Sequence, residues 1–329
     1  MSAFRAFRVF EGGRYGEGRF ASMTCDELGE GNVIVRTLFA SVNYKDALTG
    51  LGRARIVQRF PCTAGIDACG VVEESADPRF HPGDHVIVHG FTMGAEHDGG
   101  YQEINRFPAD WLMRLPAGLS PFESMAIGVA GYTAALSIDL MEHNGLVPSA
   151  GKVLVNGATG GVASNAIDML AARGYHVAAM TGKKDAHDYL RALGAAEVLD
   201  RNAMVFGKRP LEEPQWAGAV DSVGGEPLSW VIRSMQRDGV IASFGNAAGN
   251  DFAGSVLPFI LRGVRLIGVF VNNPMPLRER IWRRLVTDLR PRHLERIARR
   301  IPFETLPAAF EDLVASRATG RMVVDFSLR

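Results

Sequence analysis

The sequence predicts an α/β chain: a doubly wound parallel sheet joined to a second, mostly β, barrel-like domain. Three observations carry this. A short β-branched run, Lys152 to Val155, leads into the glycine turn Gly157-Ala158-Thr159-Gly160-Gly161 and then an apolar helical pattern through Ile167, Leu170 and Ala171. Further apolar strands alternate with helices as far as Val269, which implies parallel crossovers. Before residue 122 the texture is different, with short strands broken by Gly, Pro and Asp.

Taken in order, the N-terminal MSAFRAFRVF alternates like an edge strand. Asn32 to Phe39, Gly70 to Glu73 and Asp84 to His89 read as strands, the last entered through a Pro82-Gly83-Asp84 turn. From Phe122 the candidate sheet strands are Lys152 to Val155, Tyr175 to Met180, Glu197 to Leu199, Ala219 to Val223, Val240 to Phe244 and Arg265 to Val269. An Arg-rich helix, Arg278 to Leu289, carries Trp282, Leu285 and Leu289 on its apolar face, which leaves its arginines as a solvated face. The tail Arg321 to Phe326 alternates as a strand that returns to the β domain. The expected division is 1–122 with a return segment 272–329, and 123–271 for the nucleotide-binding domain.

At 329 residues the chain has room for two domains and a large core. Lysine plus arginine and aspartate plus glutamate both number 36, so no global field recruits nucleic acid or an anionic membrane. No uninterrupted apolar run approaches the ~20 residues of a membrane span, and the N-terminus has no signal-peptide pattern. Cys25, Cys62 and Cys69 have no CxxC spacing. The expectation is a reduced, soluble, cytoplasmic protein acting on a small molecule.

A strand, a glycine turn and a helix form the first half of a dinucleotide-binding βαβ unit. The glycines let the backbone approach a pyrophosphate, whose charge rests on the unpaired N–H groups of the helix. Glycine also makes ordinary tight turns, so the flanks decide. Where an NAD site would place a carboxylate for the ribose, this chain has Thr181-Gly182-Lys183-Lys184, with Arg201 beyond the next strand. A carboxylate would repel a 2′-phosphate, whereas a hydroxyl and cations bind one. The alternative for the lysines is ordinary surface charge; the cofactor predicted is NADP(H).

Several stretches carry a resemblance: SVNYKDAL (Ser41 to Leu48), RFPCTAGIDACGVV (Arg59 to Val72), EHDGGYQE (Glu96 to Glu103), MAIGVAGYTAAL (Met125 to Leu136), WAGAVDSVGG (Trp216 to Gly225) and PFILRGVRLIGV (Pro258 to Val269). With the glycine turn, they resemble the medium-chain dehydrogenase/reductase superfamily, in its zinc-independent acryloyl-CoA reductase and quinone-oxidoreductase-like branch. The resemblance implies a Rossmann domain and a GroES-like catalytic domain. It also implies NADPH-dependent reduction of a carbon–carbon double bond conjugated to a carbonyl, of an enoyl thioester such as acryloyl-CoA. The alternatives are a reductase of quinones or free enones and, in another class, a non-catalytic NADPH-binding protein.

Residue by residue, the resemblance puts the pyrophosphate loop on Thr159, Gly160, Gly161 and Val162. It puts the 2′-phosphate pocket on Thr181, Gly182 and Lys183 with Arg201, and Tyr44 beside the nicotinamide. Asn246, Ile260 and Val271 fall where later strand ends and loops face the cofactor. Departures are Ala163 for the third glycine, Phe244-Gly245-Asn246-Ala247-Ala248-Gly249 after the fourth strand, Phe270-Val271-Asn272-Asn273 after the last, and Asp98 for a tryptophan. Where zinc-dependent relatives place Cys and a His-Glu pair, this chain has Asn43, Tyr44, Ile66 and Asp67, so no metal site is expected. Cys69 then reads as a small buried hydrophobe.

Enone reduction needs a donor aimed at the carbonyl oxygen and an acid near the α-carbon. Tyr44, at a strand-to-helix turn, is the candidate catalytic residue; a phenol donates a hydrogen bond first and a proton only with help. Asn43 and Asp46 also fit a plain helix N-cap with an acid in the first turn. His97 reads as a proton relay or a structural histidine, and Asp67 as an acceptor for backbone amides. Arg53 and Arg55, with Arg59, form a positive cluster suited to coenzyme A phosphates, or a solvated loop. By analogy the edge strand Arg265 to Val269 pairs with its copy in a homodimer.

Overall fold

The computed structural model describes residues 3–328. Strands β1 (Phe4–Phe10) and β2 (Glu17–Met23) precede β3 (Val33–Val42) and helix α1 (Tyr44–Gly50). Then come β4 (Cys62–Thr63), β5 (Asp67–Ser75), β6 (His85–His89), β7 (Ile104–Phe107) and β8 (Met113–Arg114). Helix α2 (Pro121–His143) leads to β9 (Lys152–Asn156), α3 (Gly161–Ala172), β10 (His176–Thr181), α4 (His187–Ala192) and β11 (Glu197–Asp200). They are followed by β12 (Trp216–Asp221), α5 (Gly225–Ser234), β13 (Met235–Ser243), α6 (Leu257–Arg262) and β14 (Arg265–Gly268). Last are α7 (Met275–Leu285), α8 (Leu294–Ile297), β15 (Ala298–Pro302), α9 (Leu306–Val314) and β16 (Arg321–Asp325).

Two compact units result: Met1–Val129, Asn272–Glu279 and Ala298–Arg329 in one, Ala130–Val271 and Arg280–Ile297 in the other. The return segment 272–329 is therefore divided. Residues 280–297 belong to the second unit because polar partners on α2 and α3 hold them. Arg280 and Arg284 bind the buried Asp139 at 2.8 and 3.0 Å, and the backbone N–H groups of Arg292 and His293 donate to Asp168 at 2.8 and 2.9 Å. The arginines of α7 are thus only partly a solvated face, and Arg278 is buried as well.

In the first unit β1 is the middle strand of a three-stranded sheet, paired with β2 on one side and β4 on the other. It is not an edge, because β2 pairs with it from Phe4 to Phe10 on one side, while β4 pairs with Arg8 and Val9 and the Tyr101 carbonyl accepts Phe7 N on the other. A second sheet of seven strands runs β15-β16-β3-β5-β6-β8, with β7 also on β3. The β domain is two sheets, not one closed barrel. Phe7, Tyr101, Phe303, Phe310 and Val324 meet in one core, and the return strand β16 pairs antiparallel to β3 with every residue buried.

The second unit is a six-stranded parallel sheet in the order β11-β10-β9-β12-β13-β14. Its strands read as continuous apolar runs because helices cover them; Val153, Leu154 and Val155 are all fully buried. The winding reverses between β9 and β12, and ligands of such sheets bind at the carboxyl ends of the strands beside that reversal. Helix α2 has the length and apolarity to cross a membrane, a run the expectation above does not register. Almost all of it is buried, and it carries Asp139 with its two arginines, as a core helix does.

Candidate cofactor and catalytic site

In the second unit the glycine turn sits at the carboxyl end of β9. Gly157 has φ 59°, and a Cβ there would meet Ser222 and Val223, so only glycine makes this turn. Gly160 is the N-cap of α3, and the helical ladder begins with Ser164 N donating to Gly160 O at 2.8 Å. The N–H groups of Gly161, Val162 and Ala163 precede that ladder, so the first turn presents donors and positive dipole beside Thr159. Ala163 is 1% exposed, so its methyl is accommodated in the helix packing.

At the carboxyl ends of β10 and β11 the next group assembles. Thr181 is buried, and its hydroxyl accepts Lys183 N at 3.1 Å. Burial lowers the Lys183 ammonium pKa, with Asp185 opposing the shift. The Arg201 guanidinium lies against Gly182, where an added Cβ would stand 2.8 Å from Nη2. Asn202 donates to Gly182 O at 3.0 Å, and Asp200 is occupied in accepting Asn202 N at 2.9 Å. No carboxylate among the described residues pairs with Arg201. A phosphate fits this cradle: a hydroxyl, two cations and a bare backbone turn, with Asp200 occupied by a backbone N–H.

Asn246 follows β13 and Val271 follows β14, both at the carboxyl edge; the Asn246 amide donates to Asn250 Oδ1 at 2.6 Å. Ile260 is placed differently. It is 69% exposed on α6, whose last residue, Arg262, binds the Met235 carbonyl at the amino end of β13 at 2.9 Å. Sequence reasoning missed a strap across three strand ends. Asp221 accepts Asn156 Nδ2 at 2.6 Å and Ser243 Oγ at 2.7 Å, while Ser222 N donates to Asn156 Oδ1 at 2.8 Å. An Asp ending an otherwise apolar strand is the signal that could have found it.

In the first unit Tyr44 is the first residue of α1 and is 44% exposed. Asn43 is the N-cap, and the Asp46 carboxylate reaches back to accept Asn43 N at 3.0 Å, so these two do serve the helix start. Asp67 accepts the backbone N–H of Ser41 and Val129 at 2.9 and 3.0 Å, as expected of an amide acceptor. His97 is structural: Nδ1 meets Asp98 O at 2.9 Å and Nε2 meets Glu30 O at 2.6 Å. Asp98 itself is 1% exposed; it accepts Thr63 N at 2.8 Å and faces Arg8 and Arg59 at 3.4 and 3.8 Å. It therefore ties the β domain together internally.

Arg53 pairs with Glu311 of α9 at 3.1 Å, whereas Arg55 is exposed and has no such partner among the described residues. Cys62 and Cys69 are buried, and burial pushes each thiol up to about 12. Among the described residues no group of three or more His, Cys, Asp or Glu side chains is placed to hold a metal ion.

Comparison with known proteins follows this division. Residues 29–117 match the family described as alcohol dehydrogenase GroES-like domain, and residues 161–287 match the one described as zinc-binding dehydrogenase. The chain is 43% identical over 306 residues to the putative quinone oxidoreductase YhfP of Bacillus subtilis, covering 92% of this chain and 93% of that protein. The crystal structure of YhfP with NAD bound aligns with TM-score 0.95 at 40% identity, covering 99% of this chain and 100% of that one. Acrylyl-CoA reductase AcuI of Ruegeria pomeroyi is 41% identical over 305 residues, 92% of each chain. The yhdH oxidoreductase of Salmonella enterica, crystallised with NADP, aligns with TM-score 0.94 at 39% identity over 98% of this chain and 99% of that one.

Proposed function

The chain belongs to the medium-chain dehydrogenase/reductase superfamily, in its acryloyl-CoA reductase and quinone-oxidoreductase-like branch, and is an NADP(H)-dependent oxidoreductase; we propose that it reduces the carbon–carbon double bond of an enoyl thioester of the acryloyl-CoA kind. The supporting observation is the cradle of Thr181, Gly182, Lys183 and Arg201, whose guanidinium rests on Gly182, together with the glycine turn Thr159 to Val162. When bound, NADPH supplies the hydride. The first turn of α3 takes up the pyrophosphate charge and the cradle takes the 2′-phosphate. As negative charge grows on the substrate carbonyl oxygen, Tyr44 donates the stabilising hydrogen bond. The Arg55 guanidinium, held by no carboxylate, is the group that meets coenzyme A phosphates, with Arg53 shared between them and Glu311.

The neutralisation of Arg53 by Glu311 favours a second reading, a reductase of quinones or free enones. The deciding experiment follows NADPH oxidation with acryloyl-CoA, a quinone and a simple enone side by side. The first reading expects the highest kcat/KM with acryloyl-CoA and a KM for it that rises in Arg55→Ala. Turnover of the quinone or enone alone selects the second reading. Tight NADPH binding with no turnover of any of the three would mark a non-catalytic binding protein and overturn both.

A further inference from the structure

Two opposite charges are buried beneath the N-terminus of α1, and the reaction described above uses neither. Asp67 is fully buried and accepts Ser41 N at 2.9 Å, Val129 N at 3.0 Å and the Ser41 hydroxyl. Arg321 is 4% exposed; its Nε donates to Ala126 O at 3.2 Å and its Nη1 to Asn43 Oδ1 at 3.0 Å. Both charges converge on the N-cap. The Asn43 amide nitrogen lies 3.1 Å from Asp46 Oδ2 and 3.4 Å from Asp67 Oδ2, while its oxygen is taken by Arg321. Tyr101, also fully buried, adds a hydroxyl contact of 3.0 Å to Asp46.

The arrangement has a cause in α2. That helix breaks at Gly128, with φ 49° and ψ −157°, which frees the carbonyls of Met125 and Ala126 and the N–H of Val129. Arg321 binds the freed carbonyls and Asp67 accepts the freed N–H. A side chain at 128 would leave no room for this, since its Cβ would stand 2.7 Å from both Arg321 Nη2 and Asp67 Oδ2. The same two charges therefore satisfy a broken helix on one side and grip Asn43 on the other. The grip engages both the oxygen and the nitrogen of the N-cap side chain, and the next residue in the chain is Tyr44.

We propose that Asp67 and Arg321 are positioning residues for Tyr44: acting through Asn43, they hold the first turn of α1 in the orientation that aims the phenol. This rests on the reading of Tyr44 as the hydrogen-bond donor of the reaction. The test is a double-mutant cycle in the full chain, with NADPH Kd by fluorescence and Tm read alongside enone kcat. Arg321→Lys keeps the charge and loses the fork; Asn43→Ala, at a half-buried position, serves if that variant does not fold.

Each substitution is expected to lower kcat by about 10- to 50-fold, the effect of a slightly misplaced group, with NADPH Kd changed less than about two-fold. In a Tyr44→Phe background the same substitutions should cost less than about two-fold, because the group being aimed is gone. Arg300→Lys, which loosens another arginine from the buried Asp325 of the same unit, should leave kcat unchanged. Losses that simply add to that of Tyr44→Phe, an equal loss in Arg300→Lys, or a loss seen mainly in NADPH Kd would each overturn the inference. Full activity in Tyr44→Phe alone would instead remove the role of Tyr44, and the inference with it.

Discussion

Arg201 and Asp46 are the residues whose chemistry depends most on what surrounds them. Arg201 has no carboxylate partner among the described residues and rests on a turn lacking a side chain, which supports the proposal that its charge meets the 2′-phosphate. Lys183→Glu combined with Arg201→Ala should raise the Kd for NADPH by about 10- to 100-fold, the value of one or two charged hydrogen bonds, and leave NADH nearly unaffected. Equal loss for both dinucleotides, measured by titration, would show the cations to be bystanders. Asp46 is pushed up to about 7 by burial and, next, by the Asp67 carboxylate. Its folded pKa thus exceeds the unfolded value of about 3.9. Between those values the folded state holds more protons, so this group lowers stability as pH rises through the window to about 7. Asp46→Asn cannot lose that proton. Its Tm relative to the parent should therefore improve from pH 5 to pH 7.5, and a constant difference would refute the shift. In the sequence Asp46 reads as an acid of a helix first turn, which it is. Its burial under Tyr101 and beside Asp67 comes from residues 55 and 21 positions away, and no local pattern announces it.

Helix α2 shows most clearly how an element departs from its own sequence pattern. The stretch Met125 to Leu136 enters the sequence reading only through its resemblance, and a glycine inside an apolar stretch carries little information on its own. The break at Gly128 becomes visible only when Arg321, nearly 200 residues later, arrives to bind the freed carbonyls. Gly128→Ala should destabilise the protein by about 3 kcal/mol or more, because it adds a Cβ both to a glycine-only conformation and to a filled space. Urea denaturation checks this, and a loss below about 1 kcal/mol would mean the break relaxes easily. The glycine turn after β9 behaves in the opposite way. Its requirement is local, a positive φ at Gly157 and a helix start at Gly160, so the glycines together with the strand and helix that flank them located it. The Asn156, Asp221 and Ser243 strap lay between these cases: each residue lies in or next to a predicted strand and ends an observed one, but their meeting depends on strand order.

At the scale of the whole molecule, β14 has no partner strand on its outer edge among the described residues, and Ile260, Leu261 and Phe270 near it are exposed. An unpaired strand edge can template pairing with another chain, and the expected partner here is a second copy. Light scattering should return twice the 35.7 kDa of one chain. Leu266→Pro, which removes a strand donor, should return the monomer with NADPH binding retained; a monomer before mutation would end this expectation.

The sequence by itself determined what depends on near neighbours in the chain: the alternating strands and helices of the parallel sheet, the glycine turn, the hydroxyl and cations after β10, and the N-cap before Tyr44. Each follows from backbone sterics or from charge within a few residues. The tertiary structure alone decided that β1 is an inner strand, that residues 280–297 join the second unit, that Asp98 is internal, and that Asp67 and Arg321 share Asn43. Those outcomes are set by which distant groups satisfy buried polar atoms. Burial makes such pairing obligatory while leaving its partners unspecified by spacing.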